Sequence, residues 1–132
     1  MAQIMVSDDD PSILKLMAAI LSKAGHKVTT CASGLETIKK LGLQPDDPAV
    51  DLPDLLVLDI MMPKSDGYTV GTVIRNNPRT RNIPILVVSA LREMSRLFTA
   101  TVQVDGFLTK PFAPEDLIGS VAKILDKRRA QA

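Results

Sequence analysis

Three strand-length segments of this chain, residues 54–59, 83–89 and 104–109, are nearly continuous apolar runs rather than alternating ones. Strands of that kind belong to sheets covered on both faces, and parallel sheets, whose crossover helices lie on both sides, are where they occur. Each run closes on a polar residue: Asp59 after Leu55-Leu56-Val57-Leu58, Ser89 after Val87-Val88, and Lys110 after Leu108-Thr109. A fourth run, residues 3–7, closes on Ser7-Asp8-Asp9-Asp10. In a parallel sheet every strand points its carboxyl end to one edge, so these residues, scattered through the chain, are expected to meet above a single rim.

The segments between the strands read as helices. Pro11 suits a first helical position behind Asp10 as N-cap, and Ile13, Leu16, Met17, Ile20 and Leu21 recur at the spacing of one buried face before Gly25 ends the helix. A second strand covers residues 27–31. Ser33 and Glu36 form a capping box opening a short helix with Leu35, Ile38 and Leu41. Residues 42–53, rich in proline and aspartate, read as an exposed loop. After the turn Pro63-Lys64-Ser65-Asp66-Gly67 a third helix runs to about Asn76 and stops before Pro78. A fourth helix is predicted over residues 91–101, with an end weakened by Thr99, Thr101 and Val102. Pro114-Glu115-Asp116 opens a fifth, with Leu117, Ile118, Val121, Ile124 and Leu125 on its inner face. Five alternations of strand and helix predict a doubly wound α/β sandwich, a five-stranded parallel sheet with five helices; of the common strand orders of such sheets the flavodoxin-like 2-1-3-4-5 is expected here, with its ligand crevice between strands one and three.

Composition narrows the function classes. A length of 132 residues suffices for one core without disulfides. The formal net charge of +1 leaves no electrostatic footprint for nucleic acid, so no direct nucleic-acid binding is expected. The one basic run, Lys127-Arg128-Arg129, reads as a solvated last turn, with residues 128–132 taken as a basic tail behind a domain spanning 1–127. Cys31 stands alone, which fits a reducing compartment and a cytoplasmic protein, and its apolar setting reads as a buried thiol. No apolar run reaches the roughly 18 residues of a membrane span, and no signal segment opens the chain. His26 reads as exposed and without catalytic role, Phe107 as core, and the methionines as core filling apart from Met61 beside Asp59.

At the predicted rim, Asp8, Asp9 and Asp59 repel one another when ionised, which raises their proton affinity unless a cation neutralises them. A few hard oxygen ligands completed by water suit magnesium better than calcium and exclude structural zinc. Lys110, held extended by Pro111, can reach over the same rim to a carboxylate or phosphate oxygen.

Asp8-Asp9, Leu58-Asp59-Ile60-Met61-Met62-Pro63, Asp66-Gly67, Val88-Ser89-Ala90 and Lys110-Pro111-Phe112 together resemble the receiver (phosphoacceptor) domain of two-component response regulators. The resemblance covers about Ile4 to Leu125. It implies that Asp59 accepts a phosphoryl group from a phosphohistidine on a sensor histidine kinase or histidine phosphotransfer protein. It also implies magnesium held by Asp9 and Asp59 directly, by Asp8 through water and by the Met61 carbonyl. Ser89, Ala90 and Lys110 would contact the phosphoryl oxygens. Ser89 and Phe107 would then switch the face made by the fourth predicted helix, the fifth strand and the last helix, for an output protein that the sequence does not name. Catalysis would be limited to self-phosphorylation and slow hydrolysis. Apolar Met61 and Leu91 on the pocket rim, where polar side chains could align an attacking water, predict a long-lived acyl phosphate. Ser7 departs from the family's usual aliphatic residue.

Two other readings stay open. One is an interaction module that keeps the fold without phosphorylation. The other is a magnesium phosphohydrolase with an aspartyl nucleophile, similar to haloacid dehalogenase-like phosphatases, although Met61 occupies the position of their general acid. No DNA-binding or enzymatic output domain and no membrane insertion are expected from the sequence.

Overall fold

The computed structural model describes residues 2–44, 46–59, 67–90 and 104–131. Five strands, β1 (Gln3–Ser7), β2 (Lys27–Cys31), β3 (Leu55–Asp59), β4 (Ile85–Ser89) and β5 (Gly106–Thr109), pair in parallel in the order β2-β1-β3-β4-β5. Among the described residues four helices accompany them: α1 (Pro11–Lys23), α2 (Gly34–Lys40), α3 (Gly67–Asn76) and α4 (Pro114–Gln131). The doubly wound sheet and its strand order are those the sequence predicts. The turn at residues 63–66 and the helix predicted over residues 91–101 lie outside the described residues.

Alternation along the strands divides the core into two layers. Ile4, Val6, Leu55, Val57, Leu86 and Val88 face Met17 and Leu21 of α1 and Leu117, Val121 and Ile124 of α4. Met5, Leu56, Leu58, Ile85 and Val87 face Ile38 of α2 and Val70 and Ile74 of α3. A central strand such as β3, buried along its whole length, has side chains in both layers, which is why its sequence is apolar without alternation.

Local signals hold the connections. Asp10 caps α1, its carboxylate accepting the N–H groups of Ser12 at 2.9 Å and Ile13 at 3.4 Å. Gly25, at φ +99°, reverses the chain after the helix. The Ser33 hydroxyl accepts the Glu36 N–H at 3.1 Å, but the Glu36 carboxylate reaches the N–H of Ala32 rather than that of the cap residue.

Packing corrects several expectations. Leu16, at 48% exposure, Leu35 and Ile118 are exposed, because a helical stripe is wider than the strip of sheet it covers. β4 begins at Ile85 and β5 at Gly106, shorter than the predicted segments. β5 is an edge strand. Phe107 is accordingly 52% exposed and not a core residue. His26 is half-buried, its Nδ1 accepting the Ala2 N–H at 3.3 Å, rather than exposed. The basic residues after Asp126 lie within α4, which continues to Gln131.

The pole where the strands begin is tied by charged side chains. Arg75, largely buried, donates to the carbonyls of Arg81 at 2.8 Å and Ile83 at 2.7 Å and pairs with Asp105 at 3.5 Å, joining α3 to the start of β5. The loop over residues 42–53 is largely exposed, as expected, and is anchored: Arg79 pairs with Asp46 and donates to the carbonyls of Gly42 at 2.9 Å and Asp47 at 3.2 Å. Gly42 sits at φ +71°, and a Cβ there would collide with the Asp47 carbonyl, whereas one at Gly25 would meet open space. Both substitutions carry a left-handed backbone cost of about 1–3 kcal/mol. Gly42→Ala should therefore lower the unfolding free energy in urea by more than Gly25→Ala does, and equal losses would show that the loop yields freely.

Candidate functional site

Three of the predicted rim residues share a face by simple alternation. Asp8 continues the set Ile4 and Val6, Asp59 the set Leu55 and Val57, and Lys110 follows Leu108, all on the layer of α1 and α4. Register brings Ser7 opposite Leu58 and Asp59 opposite Val88, so the ends of β1, β3 and β4 are level. The crevice between β1 and β3 is the place where strand order reverses, the usual ligand position in such sheets.

Lys110 joins these ends. Its ammonium donates to Asp8 Oδ2 at 2.8 Å and lies 3.4 Å from Asp59 Oδ2. The other Asp8 oxygen accepts the Asp10 N–H at 2.9 Å, which orients the carboxylate. Asp8 is fully buried and Asp59 only 4% exposed, while Asp9 opens to solvent. Oxygen atoms from Asp8, Asp9 and Asp59 lie within 4.8 Å of one another, and no other potential metal-ligating cluster occurs among the described residues. Three carboxylates face one ammonium group, leaving a net negative site with an open side at Asp9.

Burial by itself would push the Lys110 amine down. The hydrogen bond to Asp8 and the charges of Asp59 and Asp8 outweigh it, and the group is held above its ordinary value. Sequence reading anticipated that Lys110 would reach the rim, but not that the buried Asp8 would be its nearer partner.

Ser89 ends β4, one strand from Asp59, and is buried; by alternation it belongs with Ile85 and Val87 on the other layer. Its carbonyl accepts the Lys110 N–H at 2.9 Å, which ties the two loop ends. Ala90 follows, exposed. Phe107 lies on the edge strand β5, three residues before Lys110, outside the carboxylate cluster. Met61 and Leu91, and with them the predicted carbonyl ligand and apolar rim, lie outside the described residues.

A neighbouring contact was not anticipated. The Ser7 and Thr37 hydroxyls, both buried, are 2.7 Å apart. Thr37 donates its hydrogen to the Ser33 carbonyl at 2.8 Å, so Ser7 is the donor to Thr37. This pair ties the strand end just before Asp8 to α2. A hydroxyl residue closing an apolar strand was the available signal. Cys31, beside it, is fully buried, and that burial pushes its thiol up, away from thiolate chemistry.

A family model for the response regulator receiver domain matches residues 4–122. The chain belongs to that family. The receiver is 35% identical over 126 residues to the DNA-binding dual master transcriptional regulator RpaA of Synechocystis, covering 95% of this chain and 49% of that protein. It is 31% identical over 120 residues to protein PilG of Pseudomonas aeruginosa, covering 90% of this chain and 84% of PilG. Among solved structures, chemotaxis protein CheY4 of Vibrio cholerae superposes with a TM-score of 0.82 at 27% identity, covering 94% of this receiver and 98% of that chain. The receiver spans about half the length of RpaA and of the other transcriptional regulators with which it aligns. It is thus a signalling domain of the two-component type. No helix among its described residues is long and apolar enough to cross a membrane.

The raised Lys110 value fixes a sign. Folding favours its charged form, so the associated stability is complete below the unfolded-state value of about 10.4 and is lost as pH rises through the higher folded value. In metal-free buffer at pH 8, Lys110→Met should destabilise the receiver by about 2 kcal/mol, less than a fully buried pair because Lys110 keeps some contact with solvent. Urea unfolding should show the gap between wild type and variant narrowing above about pH 10.4, and a gap constant to pH 12 would exclude the ion pair as its source.

Proposed function

We propose that this receiver takes a phosphoryl group from a phosphohistidine onto Asp59 in a magnesium-dependent reaction, and that the carboxylate–lysine cluster is the machinery. The observation that carries this is the placing of the Lys110 ammonium against both Asp8 and Asp59, with Asp9 oxygens in the same cluster.

An all-oxygen donor set with net negative charge fits magnesium, with Asp9 and Asp59 as direct ligands and Asp8 acting through water. The Met61 carbonyl is the further ligand in this reading. The ion, when bound, supplies positive charge to the phosphoryl oxygens. Asp59, whose oxygen is the nucleophile, attacks phosphorus; the P–N bond breaks and its electron pair stays with the donor imidazole, which takes up a proton. Lys110 neutralises charge gathering on the transferred oxygens. With the phosphoryl group attached, Lys110 exchanges part of its contact with Asp59 for a phosphoryl oxygen. Ser89 and the Ala90 N–H are assigned to the remaining oxygens.

The donor is a sensor histidine kinase or histidine phosphotransfer protein, and the receiver's own catalysis is confined to this self-phosphorylation and slow hydrolysis. The exposed position of Phe107 supports a switch in which the ring moves inward as Ser89 engages the phosphoryl group, changing the face of the helix predicted over residues 91–101, β5 and α4 for an output partner. The lone buried Cys31 accords with a cytoplasmic location.

Acetyl phosphate with magnesium should add one phosphoryl group to the wild type, detected by intact mass. Asp59→Asn should remain unlabelled, and Lys110→Met should label at least about tenfold more slowly, the expected loss of one charged contact to the transferring group. A wild type that stays unlabelled would instead favour the unphosphorylated interaction module.

The acyl phosphate should be long-lived because Met61 and Leu91 cannot align water. Met61→Asn combined with Leu91→Glu should speed its loss by about tenfold or more. An unchanged half-life would remove these two side chains from the account.

A further inference from the structure

The pole of the sheet opposite Asp59 has an opening of its own. A cleft of about 500 Å³ lies where β1, β3 and β4 begin, beneath the end of α4. One five-residue strand at about 3.3 Å per residue separates it from the carboxylate rim, so the two sites share no side chain. Its floor is apolar: Ala2, Ile83 and Leu125 are buried, and Leu52 packs against the core from the loop.

Four polar side chains reach its edge, and two of them are already engaged. Arg79 is held by Asp46 and by the Gly42 and Asp47 carbonyls, and Asp54 accepts the Gln3 N–H at 2.8 Å. Arg128 and Asn82 have no such partners: among the described residues, neither Arg128 makes an ion pair nor the Asn82 side chain a hydrogen bond. Cationic groups also crowd this corner. Arg75, nearby, is held below its ordinary value first by burial and then by the charge of Arg128, against the opposing pull of Asp105. An uncommitted guanidinium and an uncommitted amide beside a ready-made apolar floor select a ligand with an oxyanion at one end and an apolar body at the other.

We propose that this cleft binds a small amphipathic anion, its apolar or aromatic body on the floor of Leu52, Ile83 and Leu125 and its carboxylate, sulfonate or phosphate group against Arg128 and Asn82. The volume lies within the roughly 300–1,000 Å³ range of pockets that enclose small ligands. The proposal does not depend on phosphorylation of Asp59. It adds a second input to the receiver, at the end of the sheet where β3 starts.

The test uses 8-anilinonaphthalene-1-sulfonate, titrated into the whole chain, read by fluorescence and by backbone amide shifts. Saturable one-site binding is expected, with shifts centred on Ala2, Asp54, Asn82, Ile83 and Arg128. Arg128→Glu, an exposed position without an ion pair, should weaken it by about tenfold or more, as loss of a charge-assisted contact requires. Asn82→Asp should also weaken it. Ile118→Glu, in the separate apolar groove between α1 and α4, should leave it unchanged. Shifts centred on that groove, affinity indifferent to Arg128→Glu, or no saturable binding at about 1 mM dye would each overturn the assignment.

Discussion

The buried carboxylate of Asp8 is the group on which the candidate site depends. A fully buried anion is stable only when it is paired and hydrogen-bonded, and this one receives the Lys110 ammonium on one oxygen and the Asp10 N–H on the other. The arrangement joins the end of β1 to the loop after β5 across the width of the sheet. It also sets Lys110 beside Asp59, so a contact that stabilises the fold places a cation where a phosphoryl group would develop charge. Structure and proposed chemistry are thereby carried by the same ion pair.

Around it the molecule is organised as two unlike ends. At the carboxyl ends of the strands, anionic residues gather and Asp9 keeps one side open to solvent. At the other end arginines do the joining, Arg75 to Asp105 and to the carbonyls of the α3–β4 connection, Arg79 to the loop over residues 42–53. Guanidinium suits this task because its fixed fork of donors can satisfy several carbonyls at once. Those joints leave Arg128 and Asn82 uncommitted over the apolar floor of a cleft at the pole remote from the anionic one.

Much of this was legible in one dimension because it follows from periodicity. Strand-length apolar runs ending in Asp8-Asp9, Asp59, Ser89 and Lys110 require a parallel sheet, and a parallel sheet requires those ends to converge. Asp10, Pro11, Gly25 and Ser33 acted as their side chains dictate locally. The misses were of another kind. Phe107 and Leu16 have the hydrophobicity of core residues and stand exposed, since burial depends on whether a neighbouring element reaches that point of the surface. Ser7 and Thr37, far apart in sequence, carry no mutual signal, and their hydrogen bond exists because α2 packs over the end of β1.

Sequence alone therefore determined the alternation of strands and helices, the parallel sheet it implies and the convergence of Asp8, Asp9, Asp59 and Lys110 at one edge. These rest on side-chain period and on the common direction of parallel strands. Tertiary structure decided which carboxylate takes the lysine, which apolar residues stay in water, and how Arg75 and Arg79 close the opposite pole. Such choices are settled by distances between residues remote in the chain, where desolvation and pairing compete over a few ångströms and no local pattern records the outcome.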